Sequence, residues 1–250
     1  MTDRLAILTY HSIDDSGSVL STHPETFERQ IAHLAELGYR GTSLSEAVKH
    51  NQSTGRWPER TVAITFDDGY ENNLCVAQPI LTRHGFTATI YLITRHVGGE
   101  HDWEQPPPNL GRRTILDWAQ VTELADAGWE IGAHTRTHPN LQELDPEAIE
   151  REIVGSREDI QQHLSRAAET FAYPGGFCST AANTVVAREF SAGCTTLLRR
   201  STLRDPKHSL PRVDMYYLQD PVRLEKLVQG RLDAYLTLRR IGRRIRAALG

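Results

Sequence analysis

Short apolar runs and amphipathic helical patterns alternate along this chain of 250 residues. Runs rich in β-branched and aromatic side chains predict strands at residues 5–10, 61–66, 86–93, 129–133, 170–173 and 194–198. Apolar residues three or four positions apart predict helices at residues 24–37, 73–84, 116–127, 146–164 and 180–190. Strands separated by helices favour a parallel sheet built from βα units. At this length a single (β/α) barrel is more economical than two doubly wound domains.

One long segment carries no regular pattern. Residues 96–113 include Gly98, Gly99 and a run of three prolines, which interrupt helices and strands. Loops of this length in a compact domain are usually functional. We expect this one to cross the mouth of the barrel.

The carboxyl-terminal segment is basic, with eight Lys or Arg residues against two acidic ones in residues 221–250. Apolar positions fall on one helical face at Leu238, Ile241, Ile245, Ala248 and Leu249. We therefore predict a barrel in residues 1–220 and a basic amphipathic helical extension in residues 221–250. The extension either docks on the barrel or contacts an anionic membrane through residues 232–250.

Composition places the chain among ordinary globular proteins, with 39% hydrophobic and 24% charged residues. These fractions exclude collagen-like, coiled-coil and wholly disordered chains. The formal net charge is −4, so no overall basic field attracts nucleic acid, and no nucleic-acid partner is expected.

The three cysteines argue against a disulfide scaffold and a cysteine-rich zinc module, because they are odd in number and form no CxxC pair. They fit a reducing compartment. The apolar run at residues 5–10 is too short for a signal peptide, and no later run approaches membrane-spanning length. We expect a cytoplasmic protein, or one that is peripheral at the inner membrane face.

Two adjacent carboxylates, Asp67 and Asp68, directly follow the predicted strand at residues 61–66. Active sites of βα barrels are assembled at the carboxyl ends of the strands. Two neighbouring acidic groups repel each other, and a bound cation offsets that repulsion. The alternative is an Asp-Asp-Gly turn that caps the next helix.

Two histidines, His134 and His138, follow the predicted strand at residues 129–133. On a helical turn, residues four apart face the same way and can offer two imidazoles to one metal ion. Together with Asp68 they make a two-histidine, one-carboxylate set with open coordination positions, as in zinc hydrolases. Alternatively, both are surface histidines without a metal.

The sequence around these residues resembles the polysaccharide deacetylase family, carbohydrate esterase family 4. The family motifs TFDDG and HxxxH correspond to residues 65–69 and 134–138, and residues 171–176 are similar to its third motif. Residues 10–13, Tyr-His-Ser-Ile, are similar to the YHxI strand end of one branch of the family. The resemblance extends over residues 5–215.

This resemblance implies an α/β fold, a distorted (β/α)7 barrel in a single domain, with one divalent metal ion. The metal is usually zinc, with cobalt or nickel as alternatives. Asp68, His134 and His138 would be its ligands, and Asp67 would be the general base for the attacking water. A backbone N–H near Gly175 would bind the resulting oxyanion.

Departures from the family pattern affect the remaining roles. The arginine that usually opens the third motif is Ala172 here, its usual tyrosine is Gly175, and no late Leu-x-Leu-x-His motif is visible. The resemblance to the YHxI branch implies that the acid role moves to the early histidine, so we assign the general acid to His11. Arg212 would replace the missing arginine beside Asp67.

The remaining candidates are substrate contacts: Tyr173 beside Gly175, and Trp103 in the long loop. His101, close to Trp103 in the sequence, is expected to be solvated. The implied reaction removes an N-acetyl group from a poly- or oligosaccharide, or from a lipid-linked precursor. An amidase acting on a cyclic amide or ureide, and a catalytically silent saccharide-binding domain, are the alternatives. A non-haem iron oxygenase shares the ligand set but not the pattern of the chain.

Overall fold

The computed structural model describes residues 3–104 and 107–249, the last seven of them by their backbone alone. Its strands are β1 (Arg4–Tyr10), β2 (Ser12–Ile13), β3 (Ser21–Thr22), β4 (Arg40–Thr42), β5 (Thr61–Phe66), β6 (Thr89–Leu92), β7 (Glu130–Ala133), β8 (Thr170–Ala172), β9 (Ala192–Thr195), β10 (Ser201–Thr202), β11 (Leu210–Pro211) and β12 (Val213–Asp214). Its helices are α1 (Pro24–Glu36), α2 (Leu44–Thr54), α3 (Gln78–Arg83), α4 (Trp118–Asp126), α5 (Pro146–Leu164), α6 (Thr180–Glu189), α7 (Pro221–Val228) and α8 (Asp233–Leu249).

A nearly closed barrel of parallel strands forms the body of the molecule. β1, β5, β6, β7, β8 and β9 lie side by side in that order, each parallel to its neighbour. The seventh position is shared, because β11 pairs with β9 and β12 pairs with β1. Arg212 is the single residue between these two short strands. The prediction of a distorted (β/α)7 barrel in one domain is confirmed.

Alternation along the strands gives the barrel two apolar layers. Ala63 on β5 and Tyr91 on β6 belong to an inner buried cluster, whereas Ile64 and Ile90 belong to the larger cluster that includes the helices. Gly132 on β7 makes room for the inner layer, because a Cβ there would lie 2.4 Å from the Tyr91 ring. The inside of the barrel is therefore filled by side chains, and a site can form only at its mouth.

The predicted strand at residues 194–198 is displaced in the structure. β9 begins two residues upstream and ends at Thr195, which pairs with Pro211. The next residue, Thr196, turns away, and its hydroxyl donates a hydrogen bond to the Gly175 carbonyl. Pairing with neighbouring strands, rather than the local apolar run, sets where this strand ends.

β4 and α2 are absent from the sequence prediction. β4 has only three residues, and α2 packs Leu44, Ala47 and Val48 inward while most of its other positions are polar. Ser43 caps the helix by accepting a hydrogen bond from the Glu46 N–H. The apolar signal of α2 is too sparse to stand out from the surrounding polar residues.

α7 and the first turns of α8 pack on the barrel. Four leucines of this region belong to the larger buried cluster: Leu224, Leu227, Leu232 and Leu236. Asp233, at the start of α8, forms ion pairs with Arg4 and Arg200. The division of the chain at residue 220 stays a prediction.

The outer face of α8 is described only in part. Leu238 and Ile241 are exposed, whereas the side chains of Ile245, Ala248 and Leu249 lie outside the described residues. None of the helices in the described ranges combines the length and the apolar character needed to cross a bilayer. The predicted membrane contact finds no support in the structure.

Candidate metal centre

Asp67 and Asp68 follow β5 at the carboxyl-terminal face of the barrel. Side chains alternate along a strand, so Asp67 points to the same side as Thr65, and both contact Arg212. Asp68 has a left-handed backbone with φ of 73°, which turns the chain out of the strand. Both carboxyl groups are buried, since Asp67 is 3% and Asp68 is 4% exposed.

Three side chains converge at this face. One potential ligand atom from each of Asp68, His134 and His138 lies within 4.8 Å of the other two. The Oδ1 atom of Asp68 is 3.6 Å from Nε2 of His134 and 3.8 Å from Nε2 of His138. Two imidazoles and one carboxylate are a common ligand set for zinc and related cations. The three residues can therefore hold a metal ion.

The backbone of a neighbouring strand orients His134. Its Nδ1 atom lies 2.7 Å from the carbonyl oxygen of Ala172 on β8. A carbonyl only accepts hydrogen bonds, so Nδ1 carries the proton and Nε2 keeps its lone pair for a ligand. Hydrogen bonds of this kind fix the rings of metal-binding histidines. Ala172 contributes to the site through its backbone although its side chain is not arginine.

The segment from His134 to His138 is an irregular loop and not a helical turn, so the spacing of four residues is not what brings the two imidazoles together. Thr135 and His138 have left-handed backbones, with φ of 67° and 62°, which a right-handed helical turn does not contain. The Thr135 hydroxyl stabilises the loop by donating to the His134 carbonyl and accepting from the His138 N–H. Strained backbones of this kind cluster at functional sites.

α5 anchors the same loop from outside the barrel. Glu152 accepts hydrogen bonds of 2.9 Å from the N–H groups of Arg136 and Thr137. Asp159 accepts two hydrogen bonds from the Arg136 guanidinium. Gly155 allows this arrangement, because a Cβ there would lie 2.4 Å from the guanidinium carbon of Arg136. The ligand loop thus depends on contacts with a helix that follows it in sequence.

Burial shifts the pKa values of the three candidate ligands in a way that suits a cation. Desolvation lowers the pKa of His134 to about 4 and the pKa of His138 to about 2, so both imidazoles are neutral at pH 7. Burial and the charge of Asp67 raise the pKa of Asp68 to about 7. Within the described ranges, no lysine or arginine pairs with Asp68. Two neutral imidazoles and a buried carboxyl group without a cationic partner suit a divalent metal ion.

The structure brings Arg212 against Asp67. The two terminal nitrogens of the guanidinium donate to the two carboxylate oxygens, each at 2.6 Å. Arg212 also donates to the Thr65 hydroxyl and the Thr195 carbonyl, and only 1% of it is exposed. Burial alone would raise the pKa of Asp67, but the charge of Arg212 and its hydrogen bonds to the carboxylate outweigh that effect. The pKa of Asp67 is held well below its usual range.

His11 lies at the end of β1 beside this ion pair. Its Nε2 atom is 3.9 Å from Oδ2 of Asp67, and 20% of its side chain is exposed. The Asn73 side chain donates a hydrogen bond to the His11 carbonyl, which fixes the backbone at this point. His11 therefore faces both Asp67 and the solvent at the mouth.

The turn after β8 contains Tyr173 and Gly175, the residues predicted to contact the substrate and the oxyanion. They differ in the hydrogen-bond donors that they leave available. The N–H of Tyr173 donates to the Cys194 carbonyl, and its hydroxyl donates to the His208 carbonyl. Tyr173 has no further donor, so the structure does not support a substrate hydrogen bond from this residue. Gly175 is exposed and has a φ of 58°. Its backbone lies at the surface of the mouth.

The long loop brings an aromatic cluster to the site. The ring centroid of Trp103 is 4.0 Å from that of His101 and 5.8 Å from that of His138. His101 is buried, so its predicted solvation is wrong, and its Nδ1 atom is 2.7 Å from the hydroxyl of Tyr70. Tyr70 also acts on Asp68, because its hydroxyl lowers the pKa of that carboxyl group and so partly offsets the effect of burial. The sequence signals Tyr70 only by its place two residues after Asp68.

Sequence comparison connects this site with known proteins. The profile of the polysaccharide deacetylase family matches residues 54–192, more than half of the chain. The Bacillus subtilis (strain 168) protein YxkH is 31% identical over 173 residues, 69% of this chain and 57% of the relative. The Staphylococcus aureus (strain MRSA252) protein named poly-beta-1,6-N-acetyl-D-glucosamine N-deacetylase is 27% identical over 165 residues, 62% of this chain and 54% of the relative. The chain spans little more than half the length of these relatives.

Solved structures share the architecture. The Streptococcus pyogenes deacetylase PplD, in complex with acetate, superposes with a TM-score of 0.79 at 24% identity, covering 90% of this chain and 98% of that one. IcaB from Ammonifex degensii superposes with a TM-score of 0.74 at 22% identity, covering 94% and 97%. At these identities the likeness shows a common fold. With its sequence profile and its barrel in agreement, the chain belongs to the polysaccharide deacetylase family.

Proposed function

We propose that this chain is a metal-dependent hydrolase that removes an N-acetyl group from an amino-sugar-containing saccharide. The observation that carries the proposal is the ion pair of Asp67 and Arg212 directly beside the candidate metal ligands. A purely structural metal site has no need of a second buried carboxylate that is held ionised. The family and the name of the Staphylococcus aureus relative support the N-acetyl substrate class.

Asp68, His134 and His138 would hold the cation, with zinc, cobalt and nickel as candidates. When bound, a divalent cation acts as a Lewis acid: it polarises an amide carbonyl and lowers the pKa of water to about 7. The structure favours this use because the two imidazoles are neutral and the third group is a carboxyl without a lysine or arginine partner in the described ranges.

Asp67 is suited to accept the proton of the attacking water. The hydrogen bonds from Arg212 use one lone pair on each carboxylate oxygen, and a second lone pair remains on each. Arg212 also keeps Asp67 ionised at neutral pH, so the acceptor is present when substrate arrives. Because both oxygens are fixed, the direction of the remaining lone pairs is fixed as well.

The leaving group and the oxyanion need partners on other strands. His11 would donate a proton to the departing amine, since imidazole transfers protons near neutral pH and this one reaches solvent at the mouth. The N–H of Gly175 would bind the carbonyl oxygen as negative charge develops on it. Trp103, beside His138, would contact the sugar.

Arg212 weakens the case for a catalytically silent saccharide-binding domain. The alanine at position 172 would favour a silent domain only if Asp67 had no arginine beside it. Arg212 provides that arginine from the strand that closes the barrel. An amidase acting on a cyclic amide would use the same groups, so substrate tests must separate the two activities. A location in the cytoplasm, or at the inner membrane face, stays a prediction from the cysteines and the short apolar runs of the sequence.

Acetate release from a β-1,6-linked N-acetylglucosamine pentamer tests the proposal. We expect release by the zinc-loaded wild type, loss after treatment with a chelator, and recovery when zinc is restored. Asp67→Asn should lower turnover by about a thousandfold and keep the metal, because Asp67 acts in proton transfer. His134→Ala should lose both. The control is Asp126→Asn, which changes an exposed acidic residue on α4 and should behave like the wild type.

Two outcomes would contradict the assignment. If the wild type releases no acetate from this pentamer or from its β-1,4-linked counterpart but opens a cyclic ureide, the amidase is favoured. If Asp67→Asn turns over at the wild-type rate, Asp67 is not the proton acceptor.

A further inference from the structure

Two large apolar side chains are exposed at the mouth of the barrel beside Gly175. Phe177 is 44% exposed in the turn after β8, and Leu197 is 39% exposed in the turn after β9. The two turns touch, because the Thr196 hydroxyl donates a 3.1 Å hydrogen bond to the Gly175 carbonyl. Exposed apolar surface that is contiguous and rimmed by polar groups is typical of binding sites. We call Phe177 and Leu197 together the mouth platform.

The ring of Phe177 lies over the backbone of Gly175. A Cβ at position 175 would be 2.5 Å from Cε2 of the ring, and φ at this residue is 58°. Gly176 is pressed against the next turn in the same way, since a Cβ there would lie 2.8 Å from the backbone nitrogen of Thr196. The ring therefore packs against the Gly175 backbone, and nearly half of Phe177 still faces solvent.

The turn that carries Phe177 is bound to the chain around the candidate metal ligands. Before the turn, the Ala172 carbonyl accepts the hydrogen bond from His134. After it, the Ser179 hydroxyl donates to the Leu141 carbonyl, three residues beyond His138. The turn therefore runs alongside the loop that supplies two of the three ligands. An apolar surface at this place would contact the part of the substrate that extends beyond the reacting group.

We propose that the mouth platform binds the apolar face of a sugar ring that neighbours the residue being deacetylated, with Phe177 as the specificity-determining contact. This inference rests on the proposed function and deepens it. Pyranose rings carry C–H groups on one face, and aromatic side chains bind such faces while hydroxyl groups remain in water. The platform carries no charge, so it suits a neutral glycan. The preferred substrate is accordingly an oligomer of at least two sugar units.

Steady-state kinetics with N-acetylglucosamine and its β-1,6-linked pentamer test the platform. Phe177→Ala should raise KM for the pentamer about tenfold, as expected for the loss of an aromatic contact, with a smaller effect on kcat. The preference for pentamer over monomer, measured by kcat/KM, should fall by a similar factor. Phe177→Tyr keeps an aromatic ring at this position, so its KM for the pentamer should equal that of the wild type.

Leu203→Ala is the matched control. Leu203 is as exposed as Leu197, at 39%, but it follows β10 and its N–H bonds to the Asp3 carbonyl at the opposite end of the barrel. We expect wild-type kinetics from this variant. An equal rise of KM in Leu203→Ala and Phe177→Ala would overturn the platform, because the effect would not depend on position.

The outcomes separate the platform from the proposed reaction. If the wild type releases acetate and Phe177→Ala has a pentamer KM within twofold of it, the platform is wrong and the reaction stands. If the wild type releases no acetate, calorimetry measures pentamer binding to the same proteins. Weaker binding to Phe177→Ala then supports the platform without the reaction. Equal binding, or no binding to either protein, overturns the platform.

Discussion

Arg212 and Asp67 form an ion pair in which each residue depends on the other. Both are almost fully buried, and the guanidinium binds both carboxylate oxygens. Removing one member of such a pair leaves an uncompensated charge in the interior. We expect Arg212→Met to lower the free energy of unfolding by about 3–5 kcal/mol, measured by urea denaturation.

The double variant Asp67→Asn/Arg212→Met is the control for this prediction. It removes both charges, so it should be more stable than Arg212→Met alone even though it has one more substitution. A loss of less than about 1 kcal/mol in Arg212→Met would mean that solvent reaches Asp67, since exposed ion pairs contribute only that much.

Asp68 makes metal binding depend on pH in a defined direction. Burial raises its pKa from about 3.9 in the unfolded chain to about 7, so in the metal-free protein this group stabilises the fold below the lower value and the stabilisation is lost as pH rises through about 7. A cation needs the ionised carboxylate. The rise in melting temperature on adding zinc should therefore grow between about pH 5.5 and pH 8.

Asp68→Asn separates this effect from the histidines. His134 and His138, with pKa values of about 4 and about 2, stay neutral across the tested range. The variant should show a small zinc-induced shift that is the same at each pH. A wild-type shift that does not change with pH would contradict the role of Asp68.

At the scale of elements, the ligand loop depends on α5. Glu152 holds the loop through two backbone N–H groups and the Thr137 hydroxyl, and it touches none of the three candidate ligands in the hydrogen bonds described. We expect Glu152→Ala to weaken zinc affinity by about 10- to 100-fold in a chelator competition, because the loop loses the contacts that orient it. The ligands themselves are unchanged.

Glu150→Ala is the matched substitution on the same helix. Glu150 is partly exposed and pairs with Arg188 on α6, away from the loop. Its removal should leave zinc affinity at the wild-type value. Equal losses of affinity in the two variants would show that the stability of α5 in general, rather than the Glu152 contacts, controls the site.

At the scale of the whole molecule, the carboxyl-terminal helices complete the core. Leu224, Leu227, Leu232 and Leu236 are buried against the barrel. Each buried leucine contributes about 1.5–3 kcal/mol. A chain that ends at residue 220 should therefore melt more than about 10 °C below the full chain in calorimetry. A chain that ends at residue 242 keeps the four leucines and should melt within about 2 °C of it.

The same experiment tests the division of the chain at residue 220. Equal melting temperatures for the full chain and the chain that ends at residue 220 would make residues 221–250 a separable extension. The expected loss would instead make α7 and the start of α8 part of the barrel's own core.

Local patterns in the sequence are sufficient for much of this protein. Periods of two and of about 3.6 residues identify strands and helices, because alternate burial depends on neighbours along the chain. Asp67, Asp68, His134 and His138 could be identified because each follows a predicted strand, and parallel strands bring their carboxyl ends together. The family motifs at the same positions predicted the barrel.

Other features required contacts between distant parts of the chain. The seventh barrel position is split around Arg212, and this closure brings its guanidinium to Asp67. The loop of His134 and His138 is left-handed at two residues, since α5 holds it in a shape that residue spacing does not encode. The burial of His101 is set by Tyr70 and Trp103 around it. The sequence alone determined which elements form and which ligand types are present, because both are properties of neighbouring residues. Only the tertiary structure decided their geometry, because pairing, closure and desolvation exist only once the barrel is assembled.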